Sequence, residues 1–260
     1  IERLDETTFV QEVPTGWEQG RGAYGGVVVA AMARAAIASE PEPERTLRTV
    51  SLEIVGPVQP GRATLSVDLL RRGNGVTALD VRLRQRVRGP DGVETDALQA
   101  RGTFTLARTR TTDLAIDPRE PACMPAFEGL PRAPIGPPLA PVFTRHFDFR
   151  PTGPAPFSGA SEPVVEGWIH APTASSWGPP EWLAMVDCYW PSPWSMASAP
   201  RPAVTLTYTA HVVADAPRGP LFYRARAVAG RDGFVSELRE LLAPDGTPVV
   251  VNPQVIAIVK

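Results

Sequence analysis

The 260-residue chain is 43% hydrophobic and 21% charged, carries a formal charge of −2, and contains 30 prolines but only two cysteines and three histidines. A near-neutral balance offers no attraction for a polyanion, so no nucleic-acid partner is expected, and Cys123, Cys188, His146, His170 and His211 are too few for a disulfide framework or a cysteine-rich zinc site. No apolar run approaches the roughly 18 residues of a membrane span, and no basic segment leads into an apolar one at the start, so a soluble cytoplasmic protein is expected.

Taken in order, residues 8–13 read as a short edge strand. Residues 24–38, YGGVVVAAMARAAIA, are apolar on nearly every side and carry no charge before Arg34, which predicts a buried helix. Turn signals follow at Pro60-Gly61-Arg62, Gly73-Asn74-Gly75 and Pro90-Asp91-Gly92, the last a hairpin in which Asp-Gly supplies positive φ. Between them VRLRQRV alternates with period two, placing Val81, Leu83 and Val87 on one face and Arg82, Arg84, Arg86 and Arg88 on the other. Eight prolines then fall within 118–141, which reads as a connector between a first half, 1–117, and a second, 142–260.

The second half repeats the plan. Segments 142–149 and 163–170 read as edge strands, and 179–190, PPEWLAMVDCYW, as a helix started by Pro179-Pro180 and ended by Pro191. In TLTYTAHVV the alternation sets Leu206, Tyr208, Ala210 and Val212 on one face. Turns at Pro217-Arg218-Gly219, Gly230 to Gly233 and Pro244-Asp245-Gly246 match the earlier three in kind and order. Each half is therefore an α+β unit, one buried helix wrapped by a curled antiparallel sheet, and pairing the two sheets would cover an edge each otherwise exposes. That is a double hotdog.

Superposed at a shift of 156 residues, Gly22 falls on Gly178, Thr49 on Thr205, and Ala31 on Asp187. One half thus carries a carboxylate where the other carries a methyl group, the mark of a duplicated fold with one active site. Asp187 lies in WLAMVDCYW, where a buried charge must find a partner or a helix carboxylate must reach solvent. Thr205 in AVTLTY and Gln254 in VNPQVIAIV are candidate partners, the amide because it can donate to a carboxylate. Core packing and an acyl- or aryl-binding wall both remain open for Trp182, Tyr189, Trp190 and Trp194.

In RGAYGGVVVAAMARAA, LAMVDCYWP, AVTLTYTAHV and GFVSELRELLAPDGTPVVVNPQVIAIVK the chain resembles the type II acyl-CoA thioesterases, the double-hotdog thioesterase-like family, over essentially its whole length. The resemblance implies a hydrolase of lipid metabolism whose substrate is an acyl-CoA, with Asp187, Thr205 and Gln254 as catalytic residues; beside them, Tyr24, Gly25, Gly26, Trp182, Tyr189 and Trp190 are the residues expected against the substrate. Coenzyme A would be part of the substrate, and no separate cofactor or metal is implied. The family often has glutamine after Gly-Gly and a histidine-aromatic pair after the threonine, whereas this chain has Val27, Tyr208 and His211. A thioester is weakly resonance-stabilised, so a water activated by Asp187 suffices, with the carbonyl oxygen met by N–H groups at Gly25 and Gly26. Other readings are a Cys188 nucleophile with His211 as base, a hotdog enoyl-CoA hydratase using distant His170, an arginine stripe that contacts CoA phosphates, and an idle acyl-CoA-binding module. A monomer and a homodimer both fit two fused hotdogs.

Overall fold

In the computed structural model, which describes residues 1–89, 92–113, 116 and 124–258, the small-residue segment after Tyr24 forms α1 (Gly25–Ser39), whose alanines let the sheet close around it. Before it lie β1 (Glu2–Arg3), β2 (Thr8–Val13), β3 (Glu18–Gln19) and β4 (Gly22–Ala23); after it come β5 (Arg45–Ile54), β6 (Gly61–Arg72), β7 (Val76–Arg88) and β8 (Glu94–Arg108). The second half contributes β9 (Asp148–Pro151), β10 (Val164–His170), α2 (Pro179–Met185), β11 (Ala203–Val212), β12 (Leu221–Arg231), β13 (Phe234–Leu242) and β14 (Pro248–Ile258). Twelve strands form one antiparallel sheet in the order β1-β2-β6-β7-β8-β5-β11-β14-β13-β12-β10-β9. The halves meet at its centre, where β5 pairs with β11 from Leu52↔Tyr208 to Thr49↔His211. Both helices lie in one apolar core that includes Tyr24, Val28 and Met32 from one half and Trp182, Leu183 and Val186 from the other.

The duplication is written most clearly in β-bulges, where one strand inserts an extra residue and its side-chain alternation reverses. β5 slips between Leu47 and Thr49 and β11 between Thr205 and Thr207. β6 slips between Leu69 and Arg71 and β12 between Ala227 and Ala229. A third pair skips Gln99 on β8 and Val249 on β14. These place Leu47 on Thr205, a shift of 158 rather than the expected 156, and Gly61 on Gly219, both with positive φ. The last strands correspond at a shift of 150, from Gln99 to Val249, and the helices start 154 residues apart, so the expected pairing of Asp187 with Ala31 does not hold as one constant shift.

The β11 bulge also overturns the face expected for its first residues. Tyr208, Ala210 and Val212 are buried as the alternation predicts, but Leu206 is 41% exposed. The extra residue resets the parity, so that Thr205 shares the inner face with Tyr208. Two further expectations are corrected. The second helix ends at Met185, and the N–H groups of Asp187 and Cys188 turn back to Ala184 and Met185, so Asp187 stands on the turn after the helix. Residues 142–146 form a 3-10 turn held by the Thr144 N–H and hydroxyl on the Pro141 carbonyl, and the edge strand starts only at Asp148. Of the two Asp-Gly hairpins, the one at Ala243–Thr247 closes as expected with Gly246 at φ 89°. In the other, Pro90 and Asp91 lie outside the described residues, as do residues 118–123 of the 118–141 connector.

Candidate active site

Four elements converge on Asp187. The turn after α2 brings its carboxylate over the inner face of the sheet, where β14 supplies Gln254, β13 supplies Arg239 and the start of β11 supplies Thr205. Asp187 Oδ1 accepts from Gln254 Nε2 at 2.9 Å and from Arg239 Nη1 at 2.8 Å. The Gln254 amide also donates to Asn252 Oδ1 at 2.7 Å, and its own oxygen faces the Thr205 hydroxyl at 3.4 Å. Arg239 is balanced on its far side by Glu237 Oε2 at 3.4 Å, and Glu237 Oε1 accepts the Ser192 N–H at 2.9 Å. Alternation explains the grouping: residues 252 and 254, like 237 and 239, are two apart on one strand and so point the same way.

With Oδ1 tied down, Oδ2 turns to a cleft of about 360 Å³ lined by Gly25, Leu52, Ile54, Thr205 and Tyr208. A Cβ built on Gly25 would stand 2.8 Å from Oδ2, so only glycine lets the start of α1 approach this closely. The first-turn N–H groups of a helix have no partner within the helix and carry its positive end. Carboxylate and helix N-terminus therefore face one space from opposite halves of the chain. Burial pushes the Asp187 pKa up; Arg239 and Gln254 pull against that, Glu237 adds to it, and the balance stays above the ordinary aspartate value.

The structure thus brings together Asp187, Thr205, Gln254 and Gly25. Gly26 instead packs on the Tyr24 ring, where a Cβ would come within 2.3 Å. Tyr24 is fully buried, stacked on Phe143 at 4.0 Å and hydrogen-bonded to the Ala184 carbonyl. Tyr189 stacks on Tyr223 at 4.6 Å and donates to the Trp168 carbonyl. Trp182 is buried in the core and Trp190 packs at its margin, so the expected aromatic wall is core packing and none of these four rings lines the cleft. Cys188 is buried and its thiol pKa is pushed up by burial and then by Asp187, while its supposed base His211 is exposed on β11. His170 lies on β10, near the far edge of the sheet. In the arginine stripe, Arg82, Arg84 and Arg88 pair with Asp68 and Asp80, Asp96 and Glu94.

Arg239, Glu237 and Asn252 were not singled out from the sequence. The signal was there in the repeat at its true register. Arg239 falls on Val81, Glu237 on Leu79, Gln254 on Phe104 and Asn252 on Gly102, so every member of the buried polar cluster replaces an apolar residue or glycine of the first half.

The family description "acyl-CoA thioesterase N-terminal domain" matches residues 13–105, and "acyl-CoA thioesterase C-terminal domain" matches residues 118–258. No curated protein sequence matches the chain. Among solved structures, a conserved protein of unknown function with a hot dog fold from Alicyclobacillus acidocaldarius superposes with a TM-score of 0.86 at 18% identity, covering 99% of this chain and 95% of that one. A TesB protein from Mycobacterium avium subspecies paratuberculosis gives 0.78 at 15% identity, with 100% and 95% covered. An acyl-CoA thioesterase II from Mycobacterium marinum gives 0.73 at 13% identity, with 99% and 95% covered. At these identities the structural likeness establishes the double hotdog fold. No described helix is long and apolar enough to cross a membrane.

Proposed function

The chain belongs to the acyl-CoA thioesterase family, and on that premise we propose that it hydrolyses an acyl-CoA thioester to the free acid and coenzyme A, with Asp187 as general base. The observation that carries this reading is the division of labour on one carboxylate: Oδ1 is held by Gln254 and Arg239, and Oδ2 faces the cleft beside the start of α1. Water between Oδ2 and the Thr205 hydroxyl gives its proton to Asp187 as its oxygen adds to the thioester carbon. The carbonyl oxygen, gaining negative charge, meets the first-turn N–H groups at Gly25. Collapse expels the CoA thiolate, and the proton held by Asp187 goes to that sulfur, which restores the base.

The same reading keeps residues 118–141 as the connector between two halves and acyl-CoA as the partner, in the cytoplasm and in lipid metabolism. One chain supplies both walls of the cleft, so a monomer suffices. The test is thiol release from a panel of short, long, branched and aromatic acyl-CoA substrates. Wild type turns over at least one of them, and Asp187→Asn, folded by circular dichroism, loses about 10²- to 10⁴-fold in kcat, the range for one general base. Binding without turnover in wild type, or full turnover in the variant, contradicts the proposal.

A further inference from the structure

The buried ion pair behind Asp187 is not required by the fold. The first half builds the same strands and bulges with Val81 and Leu79 where the second has Arg239 and Glu237. Burying opposite charges in place of well-packed aliphatic side chains brings little or no stability. Yet the Arg239 side chain is only 3% exposed and that of Glu237 is fully buried. A feature that one half does without, at such a site, calls for a role beyond packing.

Resting on the thioesterase reading above, we propose that Arg239, braced by Glu237, is a positioning residue for Asp187: it clamps Oδ1 so that Oδ2 is the oxygen presented to the cleft, and it keeps the carboxylate charged there. The guanidinium suits the task because it cannot lose its proton and its planar fork reaches two carboxylates at once. Its Nη1 is 2.8 Å from Asp187 Oδ1 and its Nη2 3.4 Å from Glu237 Oε2. The other titratable groups facing Asp187 are Tyr24, Tyr208, Tyr223 and Cys188, each held neutral because burial pushes its pKa well up. Among the described residues, Arg239 is thus the cation set against both Asp187 and Glu237.

Removing Arg239 alone strands Glu237, so the working variant is Arg239→Met with Glu237→Gln, which is neutral and keeps an acceptor for the Ser192 N–H. Two readouts are taken: the pH profile of thiol release, and titration of the Asp187 carboxyl carbon by NMR, assigned with Asp187→Asn. Loss of an opposite charge this close raises a carboxylate pKa, and the loss of Glu237, whose smaller influence pushes Asp187 up, offsets part of that rise. The acid limb of kcat/KM therefore moves up, kcat falls about tenfold or more, and KM stays within about twofold. Arg239→Lys, which keeps the charge but not the fork, holds the acid limb and loses rate. Placed on Asp187→Asn, the double substitution costs no further activity. A folded variant whose acid limb and Asp187 titration both match wild type overturns the proposal. Should wild type release no thiol, the thioesterase reading fails, and the NMR titration alone decides the clamp: a raised midpoint upholds it and an unmoved one overturns it.

Discussion

Gly25 and Asp187 belong to different halves of the chain, and their closeness sets the sharpest demand on any single side chain. The Cβ of Gly25→Ala would meet Oδ2 at 2.8 Å and Ile54 Cδ1 at 3.5 Å, so the carboxylate must shift. A displacement of a few tenths of an ångström up to about 1 Å costs as much as 10²-fold in rate. Thiol release should fall on that order with the circular dichroism spectrum unchanged, and wild-type kinetics would show that the contact is not part of the reaction. Asp187 also bears on stability. Because burial raises its pKa above the ordinary 3.8, the fold binds its proton more tightly than the unfolded chain does. Stability from this group is therefore greatest at low pH and is lost as pH rises from 3.8 through the raised value. Relative to wild type, the unfolding free energy of Asp187→Asn should climb across that window and level off above it; parallel curves in urea titrations contradict the assignment. Asp187 and Gln254 stood out in the sequence because each interrupts an apolar run, a context in which a polar group needs a partner. Arg239 did not, since in SELRELL it stands between Glu237 and Glu240, and charges interleaved with leucines are what a half-solvated strand normally shows.

The elements of the site depend on one irregularity. Without the bulge at Leu206, period-two alternation would carry Leu206 to the inner face and turn Thr205 outward, as the sequence pattern alone predicts. Deleting Leu206 removes the inserted residue and leaves Thr205 two positions before Tyr208, on the inner face by ordinary alternation, so thiol release should largely survive; Thr205→Val, which keeps the bulge and removes the hydroxyl, should abolish most of it. Activity of Thr205→Val within about twofold of wild type would show that the Thr205 hydroxyl has no part in the reaction. Strands, hairpins and the first helix were legible because alternation, Asp-Gly and small-residue patterns are local properties. Bulges were not, because the extra residue shows only when two strands are laid side by side. The end of α2 was missed for a related reason: Val186, Tyr189 and Trp190 continue an apolar pattern, but core packing rather than helical periodicity holds them.

The described molecule is built on one twelve-stranded sheet joined at its centre by β5 and β11, beside a separate β3-β4 pair, with one apolar core running through both halves. Cut between halves, each piece would expose a long unpaired edge and part of that core. Calorimetry should accordingly show one transition with calorimetric and van't Hoff enthalpies in agreement, and two separated transitions would refute a single cooperative unit. The fusion also lets the halves diverge. In the described structure the first gives the start of α1 and the second gives Asp187, Thr205, Gln254 and Arg239, so the chain carries one composite cleft with this cluster. The claim that Asp187 acts there by activating water is tested most directly in a single turnover, with enzyme in excess over an acyl-CoA substrate in ¹⁸O-labelled water. The account predicts one solvent oxygen in the released acid and none in the peptide that contains Asp187. Label in the Asp187 carboxylate would mean that the side chain had attacked the thioester itself, and would contradict it.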